Sequence, residues 1–573
     1  MCRRQIVRCG LSVALLCAMG NELVHAQVDP SREVFDRSLD LQQKKERRDS
    51  INKELRQFKT PPAAISVYSP ETNGDGEIEQ VRVDKILFAD DPVAAVALAD
   101  QLRAFEHVTL DGRRVLELLK LINSYYYKSG FVTTFASVEK QSLTSGELVI
   151  STKWGKIKGW LDGNGLPAKG ALLRKVSFAM PWLIGRVLNV HDVDQIVENL
   201  KGNESKEVSI DIVPTDEIGY SYLKVSLRNK IPWKFSVNLD NSGQGASNSG
   251  LYKLSVAFTT FDLLGFNETL SINGADNYYD HPGEYSKFLW GGMLSMPMGG
   301  WILEAGYRRS DYRALINGIY GDYMSNGSVE DVYAKISDTV ARWGDGKVSL
   351  FLRVDRKDTE NFIDDYRLDV SSNIVTEMSG GVSYSGVVFG GAAYGDAYVS
   401  KSIYALGAAD ATQYFGNFVN FRYNKINLNL NWLYDFSFMN RLLNYSLAGG
   451  AQYSDDNLPT AAKLTLGDEY TVRGFKAQSL LGDRGIYLSN TVSMPFSWEA
   501  GGLSFKATGF IGLDAGEAGD AHRAYRTLMG CAAGWRFGVG KNINSSITVG
   551  YPLIVPENFA RSMVFYMNVG FVM

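Results

Sequence analysis

The chain has 573 residues, with 59 basic and 63 acidic side chains and a formal charge of −4. That balance argues against a dedicated nucleic-acid binder, which carries a basic excess. Apolar residues make up 45%, enough to fold, and 12% aromatics together with 57 glycines point to strand-rich structure.

Residues 1–26 read as an export signal. Arg3, Arg4 and Arg8 form a basic start, Leu11–Met19 an apolar stretch, and Val24-His25-Ala26 a cleavage site before Gln27. Leu16 before Cys17 argues against a lipid-modified cysteine. Cys2, Cys9 and Cys17 belong to this segment, so Cys531 alone is expected in the mature chain. No intrachain disulfide and no cysteine-based metal site is expected. After residue 26 no run approaches the ~20 apolar residues of a membrane helix. A membrane barrel stays open, because its strands alternate and average to neutral hydropathy.

Residues 27–58 hold a helix. Pro30 and Ser31 suit its start, and no Gly or Pro interrupts it up to Phe58. Residues 32–56 carry eight basic and six acidic side chains, with few apolar positions. A helix polar nearly all round belongs in water or in a polar cavity, and the pattern alone leaves both open. Pro61, Pro62, Pro70, Gly74 and Gly76 then mark a linker over 59–77.

Two α+β modules follow. In 78–154 the order is strand, helix, helix, strand, strand. Asp111 can cap a helix ending at Gly130, whose Val115, Leu118, Leu119, Ile122 and Tyr126 share one face. In 155–228 the order repeats, with Asn189 as cap and Val193, Ile196, Val197 and Leu200 as the buried face. This is a weak internal repeat.

From residue 229 to 573 period-2 segments replace the helical period. Ile426, Leu428, Leu430, Trp432 and Tyr434 alternate with asparagines, and Val348, Leu350, Leu352 and Val354 with Ser349, Phe351, Arg353 and Asp355. Strands of ~10 residues with one apolar face suit tilted membrane spans. Sixteen antiparallel strands are predicted, starting near 233, 250, 267, 285, 300, 328, 347, 376, 391, 424, 442, 486, 503, 529, 544 and 562. Short turns after strands 2, 4, 6 and 12, and long loops over 310–327, 358–375 and 454–485, give the two sides of an outer-membrane barrel. Residues 403–423 are read either as loop or as part of the tenth strand.

His107, His191, His281 and His522 show no metal-ligand spacing, and no nucleophile elbow, phosphate loop or dinucleotide fingerprint stands in a suitable context. No enzyme activity, no cofactor and no metal is expected. The informative constellation is elsewhere. The loop 454–485 carries Val472-Arg473-Gly474-Phe475. In the strand from Leu503 to Gly516, alternation turns Leu513 outward and Asp514 into the lumen. Arg473 is the natural cation for that carboxylate, through a bidentate fork. Spacing alone favours the plainer reading, a solvated Arg473 and a water-lining Asp514.

Several motifs in order carry a resemblance. Tyr127-Lys128-Ser129-Gly130-Phe131-Val132-Thr133, Gln141 and Gly146-Glu147-Leu148 resemble the end of the first polypeptide-transport-associated (POTRA) domain of two-partner secretion outer-membrane transporters (TpsB). Val237-Asn238-Leu239-Asp240-Asn241-Ser242-Gly243 looks like their first barrel strand. Val472, Arg473, Gly474 and Phe475 match their loop motif, and Gly512, Asp514 and Gly516 their lumen motif. The resemblance spans residues 30–573. It departs at the C-terminus, where such barrels often end in an aromatic residue and this chain ends Phe571-Val572-Met573.

The resemblance implies a mechanism. Periplasmic POTRA domains would capture an unfolded secreted exoprotein, adhesin- or haemolysin-like (TpsA type), by strand addition. The exoprotein would cross the barrel of an outer-membrane protein seated in lipid and fold outside. The helix over 27–58 would plug the pore at rest, and Arg473 would pair with Asp514 in the lumen. A barrel-assembly factor of the same superfamily is the alternative. A passive porin or a barrel hydrolase explains the two modules less well.

Overall fold

The computed structural model describes residues 37–59, 81–142, 145–201, 205–242, 251–279, 283–318, 321–369, 371–408, 419–476, 478–557 and 559–573. The expected signal segment, the start of the first helix and the linker lie outside these residues. Among the described residues no helix is long and apolar enough to cross a membrane. The crossing element is instead a closed antiparallel barrel.

The barrel has sixteen strands, with the two-residue arm Tyr366–Arg367 as an extension of the seventh. The first strand, Trp233–Asp240, pairs with the second, Tyr252–Phe261, and with the last, Val564–Val572, through Leu239↔Val569 and Val237↔Phe571. Closure leaves no sheet edge in the membrane, so every strand can satisfy its backbone within the wall. Alternation sets the two faces. On the tenth strand, Asn424–Phe438, Ile426, Leu428 and Leu430 are exposed on the outer surface while Asn427 is buried inward. Tight turns join the strands on one side. Met439-Asn440 and Gly501-Gly502 have positive φ at both residues, the turn geometry whose twist matches a hairpin.

Two of the expected long loops are corrected. The fifth strand, Trp301–Gly318, and the sixth, Gly321–Trp343, stay paired from Trp301↔Asp338 to Gly318↔Gly321. Residues 310–327 are therefore largely ribbon. The seventh strand, Gly346–Ile363, likewise runs on and turns back through Tyr366–Arg367 before the eighth begins at Asn373. Beyond the apolar band both faces of a strand are polar, so alternation fades. The backbone still pairs, because its N–H and C=O groups need partners. Residues 404–408 and 419–423 lie between strands, with Phe421 and Tyr423 buried against Val375 and Leu458.

The two modules share one topology. In the first, Lys85–Phe88 runs parallel to Glu147–Lys153, and Phe135–Ser137 is antiparallel to the latter. In the second, Lys156–Leu161 runs parallel to Tyr220–Asn229, and Lys206–Pro214 is antiparallel to it. Asp111 caps Gly112–Lys128 by accepting from the N–H of Arg114 at 2.9 Å. The helix buries Leu118, Ile122 and Tyr126 on the sheet. Tyr126 donates its hydroxyl to Asp91 at 3.1 Å, and burial pushes its pKa up to about 12. In the second module Asn189 Oδ1 accepts from the N–H of His191 at 2.9 Å ahead of Val190–Lys201.

The second module is docked on the barrel's short-turn side. Asn199 Nδ2 donates to the carbonyls of Ala179, at 2.8 Å, and Gly299, at 2.7 Å. Lys206 and Lys175 meet Asp262 at 2.6 and 2.5 Å. Glu198 receives Arg342, and Lys347 at 2.7 Å.

Candidate functional site

The helix Arg37–Lys59 and the loop between the eleventh strand, Arg441–Tyr453, and the twelfth, Arg484–Ala500, both lie against the inner wall. The loop folds on itself first. Leu464–Leu466 pairs with Leu480–Gly482. Asp483, fully buried at the loop's end, accepts from the N–H of Leu458 at 2.9 Å and of Ala521 at 2.7 Å.

Arg473 sits between these arms and reaches Asp514 on the thirteenth strand, Leu503–Gly519. Its Nε donates to Oδ2 and its Nη2 to Oδ1, each at 2.6 Å, and its backbone N–H adds 2.9 Å to Oδ2. Ser489 donates to Oδ1 at 2.8 Å. Four hydrogen bonds nearly fill the carboxylate's acceptor capacity. Asp514 has 0% and Arg473 7% exposure, so the bidentate pair is a buried one. The neighbouring Leu513 and Ile511 are exposed on the outer face. Val472 and Phe475 pack with Leu466, Leu480, Ala518 and Leu528 in a small apolar cluster over the wall.

Glycines make the seat. A Cβ on Gly512 would lie 2.2 Å from Arg473 Nη2, and one on Gly530 would lie 1.9 Å from the Arg473 carbonyl oxygen. Gly474 has φ +106, and a Cβ there would meet the Tyr551 backbone at 2.9 Å. A Cβ on Gly516 would press on Tyr487 and Leu466 at 3.0 and 3.1 Å. Tyr566 on the last strand donates its hydroxyl to the Phe475 carbonyl at 2.6 Å. Gly530, Tyr566 and Asp483 escaped the sequence reading. The register could have found Gly530, since it pairs directly with Asp514 and shares its face.

The helix lies beside this loop. Lys44 Nζ reaches Asp468 at 2.8 Å and the Thr465 carbonyl at 2.9 Å, and Arg48 stands 5.7 Å over the Tyr470 ring. Around the wall, Glu46 meets Arg308 at 2.7 Å, Arg47 meets Asp396 at 2.6 Å and Glu54 meets Lys347 at 3.0 Å. Leu39 packs on Ala275, Leu289 and Val329, and Ile51 and Leu55 on Ala392. The helix is thus held mainly by charge, with three apolar contacts. Among the described residues no His, Cys, Asp and Glu cluster could hold a metal ion.

The geometry agrees with comparisons to known proteins. The family model described as haemolysin secretion/activation protein ShlB/FhaC/HecB matches residues 219–537, and a POTRA domain model matches 162–214. The outer membrane transporter CdiB of Escherichia coli is 26% identical over 569 residues, covering 96% of this chain and 92% of that protein. The hemolysin transporter protein HpmB of Proteus mirabilis is 27% identical over 451 residues, covering 76% and 73%. The solved structure of CdiB from Escherichia coli superposes with a TM-score of 0.82 at 24% identity, covering 96% of this chain and 100% of the other.

Proposed function

The chain belongs to the haemolysin secretion/activation protein ShlB/FhaC/HecB family, and from that premise we propose how its parts divide the work of transport. It is an outer-membrane transporter of two-partner secretion, with its POTRA region in the periplasm. The two modules over 78–154 and 155–228 receive an unfolded secreted exoprotein, adhesin- or haemolysin-like. The outermost strand of the second module's sheet, Lys206–Pro214, is suited to strand addition, whereas Lys156–Leu161 at the opposite edge is already bonded to Arg186, Gly185 and Ala168. The polypeptide then crosses the lumen, which the N-terminal helix closes at rest. The loop seated by Arg473 and Asp514 holds the wall in its transport-competent form.

The observation that carries this reading is the helix itself. A charged rod matched by lumen charges on several strands fills the path while remaining soluble outside it. Deleting residues 30–58 from the full transporter is expected to raise single-channel conductance in planar bilayers. Unchanged conductance would remove the plug. Secretion assays with the cognate exoprotein test the module role separately: proline substitutions along the Lys206–Pro214 edge should lower secretion while the barrel still assembles.

A further inference from the structure

The outer wall carries a groove near its long-loop rim. It crosses the tenth to thirteenth strands, has a volume of about 240 Å³, and is lined by Ile426, Leu428, Ala451, Tyr453, Arg484 and Ile486 among others. Strand register fixes the direction these side chains face. Leu428 pairs with Ala451 and Ala451 with Ile486, so the three share a face. Leu428 and Ile486 are exposed there, on the side turned away from the lumen. The groove exists because the eleventh strand presents only Gly449 and Ala451 between larger rows, Leu428 and Leu430 on one side, Ile486 and Leu488 on the other.

The groove's upper end is charged. Arg484 Nη2 donates to Asp455 at 3.1 Å, and its guanidinium lies 5.1 Å from the Tyr453 ring centre. Tyr453 donates its hydroxyl to Asp455 at 2.8 Å. Arg484 Nε is buried without a hydrogen-bond partner, so the guanidinium is only partly satisfied. Glu517 pairs across from Ile486, and Tyr525 completes the rim. An apolar floor below phenols and a guanidinium is the composition of the boundary between hydrocarbon and headgroups. Tyr453 ends and Arg484 begins the strands that carry the longest loop, so this boundary is that of the outer leaflet.

We propose that this groove is a binding site for an outer-leaflet lipid with an anionic, phosphate-bearing headgroup. One acyl chain lies along Leu428, Ala451 and Ile486, and the phosphate meets the Arg484 guanidinium. Lipid is the solvent of this face of the barrel, so an acyl chain is what fills an apolar cleft there. A guanidinium fork matches phosphate, and a small turn of the side chain supplies its missing acceptor. Glu517 repels an anion elsewhere along the groove, and at Arg484 the phosphate takes the place of the exposed Asp455 carboxylate, which keeps the Tyr453 hydroxyl as its partner. Asp455 and Arg484 are also the two stems of the loop that carries Arg473. A bound lipid therefore braces the loop from outside.

The test uses the full-length transporter in detergent, titrated with phosphatidylglycerol, with phosphatidylcholine of the same chains, or with inorganic phosphate, and read by native mass spectrometry. One phosphatidylglycerol is expected to stay bound about fivefold more than phosphatidylcholine, the scale of one cation at an anionic headgroup. Arg484→Gln should erase that preference. Ala451→Leu, which fills the floor without touching charge, should lower retention of both lipids. Heat-modifiable migration verifies that each variant is a folded barrel. Equal retention of the two lipids by the native protein, or a preference kept by Arg484→Gln, overturns the site. So does displacement of phosphatidylglycerol by equimolar inorganic phosphate, which would mean that the acyl floor contributes nothing. Dimers in place of lipid adducts would assign the groove to a second copy of the chain.

Discussion

The loop and the helix occupy the same lumen but are held by different physics. The loop's Arg473 is sealed at a fully buried carboxylate, its flanks are apolar, and glycines leave no room for it anywhere else. The helix rests on separate ion pairs, several of them with partly exposed partners such as Arg47 and Glu46. A buried bidentate pair is costly to break from one side, whereas an exposed pair contributes little and yields to salt. The contrast suits the proposed division between a fixed part of the wall and a plug that leaves.

Asp514→Ala should show the largest effect. It strands a buried guanidinium, at a cost of about 3–5 kcal/mol, more than a hydrated lumen pair would lose. Secretion should fall to background while surface barrel levels stay near normal, measured by heat-modifiable migration. The double variant with Arg473→Ala should be no worse than the more severe single one, because the two act as a unit. Normal secretion by either single variant would put the loop on the same footing as the helix.

Gly530→Ala comes next. Its methyl would overlap the Arg473 carbonyl oxygen, which is backbone and has little freedom to move. Overpacking of this kind costs about 1–3 kcal/mol. A clear loss of secretion is expected, together with faster proteolysis of the loop. Intact kinetics would show that the loop is not seated where Arg473 lies.

Ionic strength separates the two elements directly. The Debye length falls from about 10 Å at 0.1 M salt to about 3 Å at 1 M. Open-channel events should become more frequent with salt in the intact transporter, beyond the rise in bulk conductivity. Protection of the loop from protease should not change. A helix indifferent to salt would have to be held by its apolar contacts instead.

The smallest effect belongs to Glu54→Gln. It removes one of several ion pairs, with Lys347 still paired to Glu198 at 2.7 Å. A change of about 0–1 kcal/mol in plug retention is expected, visible as a modest increase in brief openings.

The strand pattern was legible because lipid imposes it. Outward residues such as Ile426, Leu428 and Leu430 must be apolar, so the tenth strand announces itself from its first residues. Where lipid ends that pressure ends, and residues 310–318 and 321–327 pair without an alternating signature. Asp514 was readable from the parity of its own strand. Its seat was less so: Gly530 is marked only by its pairing with Asp514 on the next strand, and Tyr566 comes from the last strand and meets the loop through the folded lumen. Asp483 has no local mark, since its partners are the backbone N–H groups of Leu458 and Ala521 and the Lys463 ammonium, all distant in sequence.

The attachment of the helix has a further consequence. Lys59 and the first described strand of the first module, Val81–Val83, are joined by a short stretch of the same chain. The helix is therefore a tethered ligand of the lumen, whose rebinding does not depend on protein concentration. For short linkers the effective concentration reaches the millimolar range. An exoprotein free in solution far below that concentration, and binding the lumen no more tightly than the helix, would not win it by mass action. It competes only after it is tethered in turn, on the modules, at a comparable effective concentration. On the proposed capture by the modules, delivery and opening would be one event, and a weak charge-based plug would be tight enough against everything not first captured.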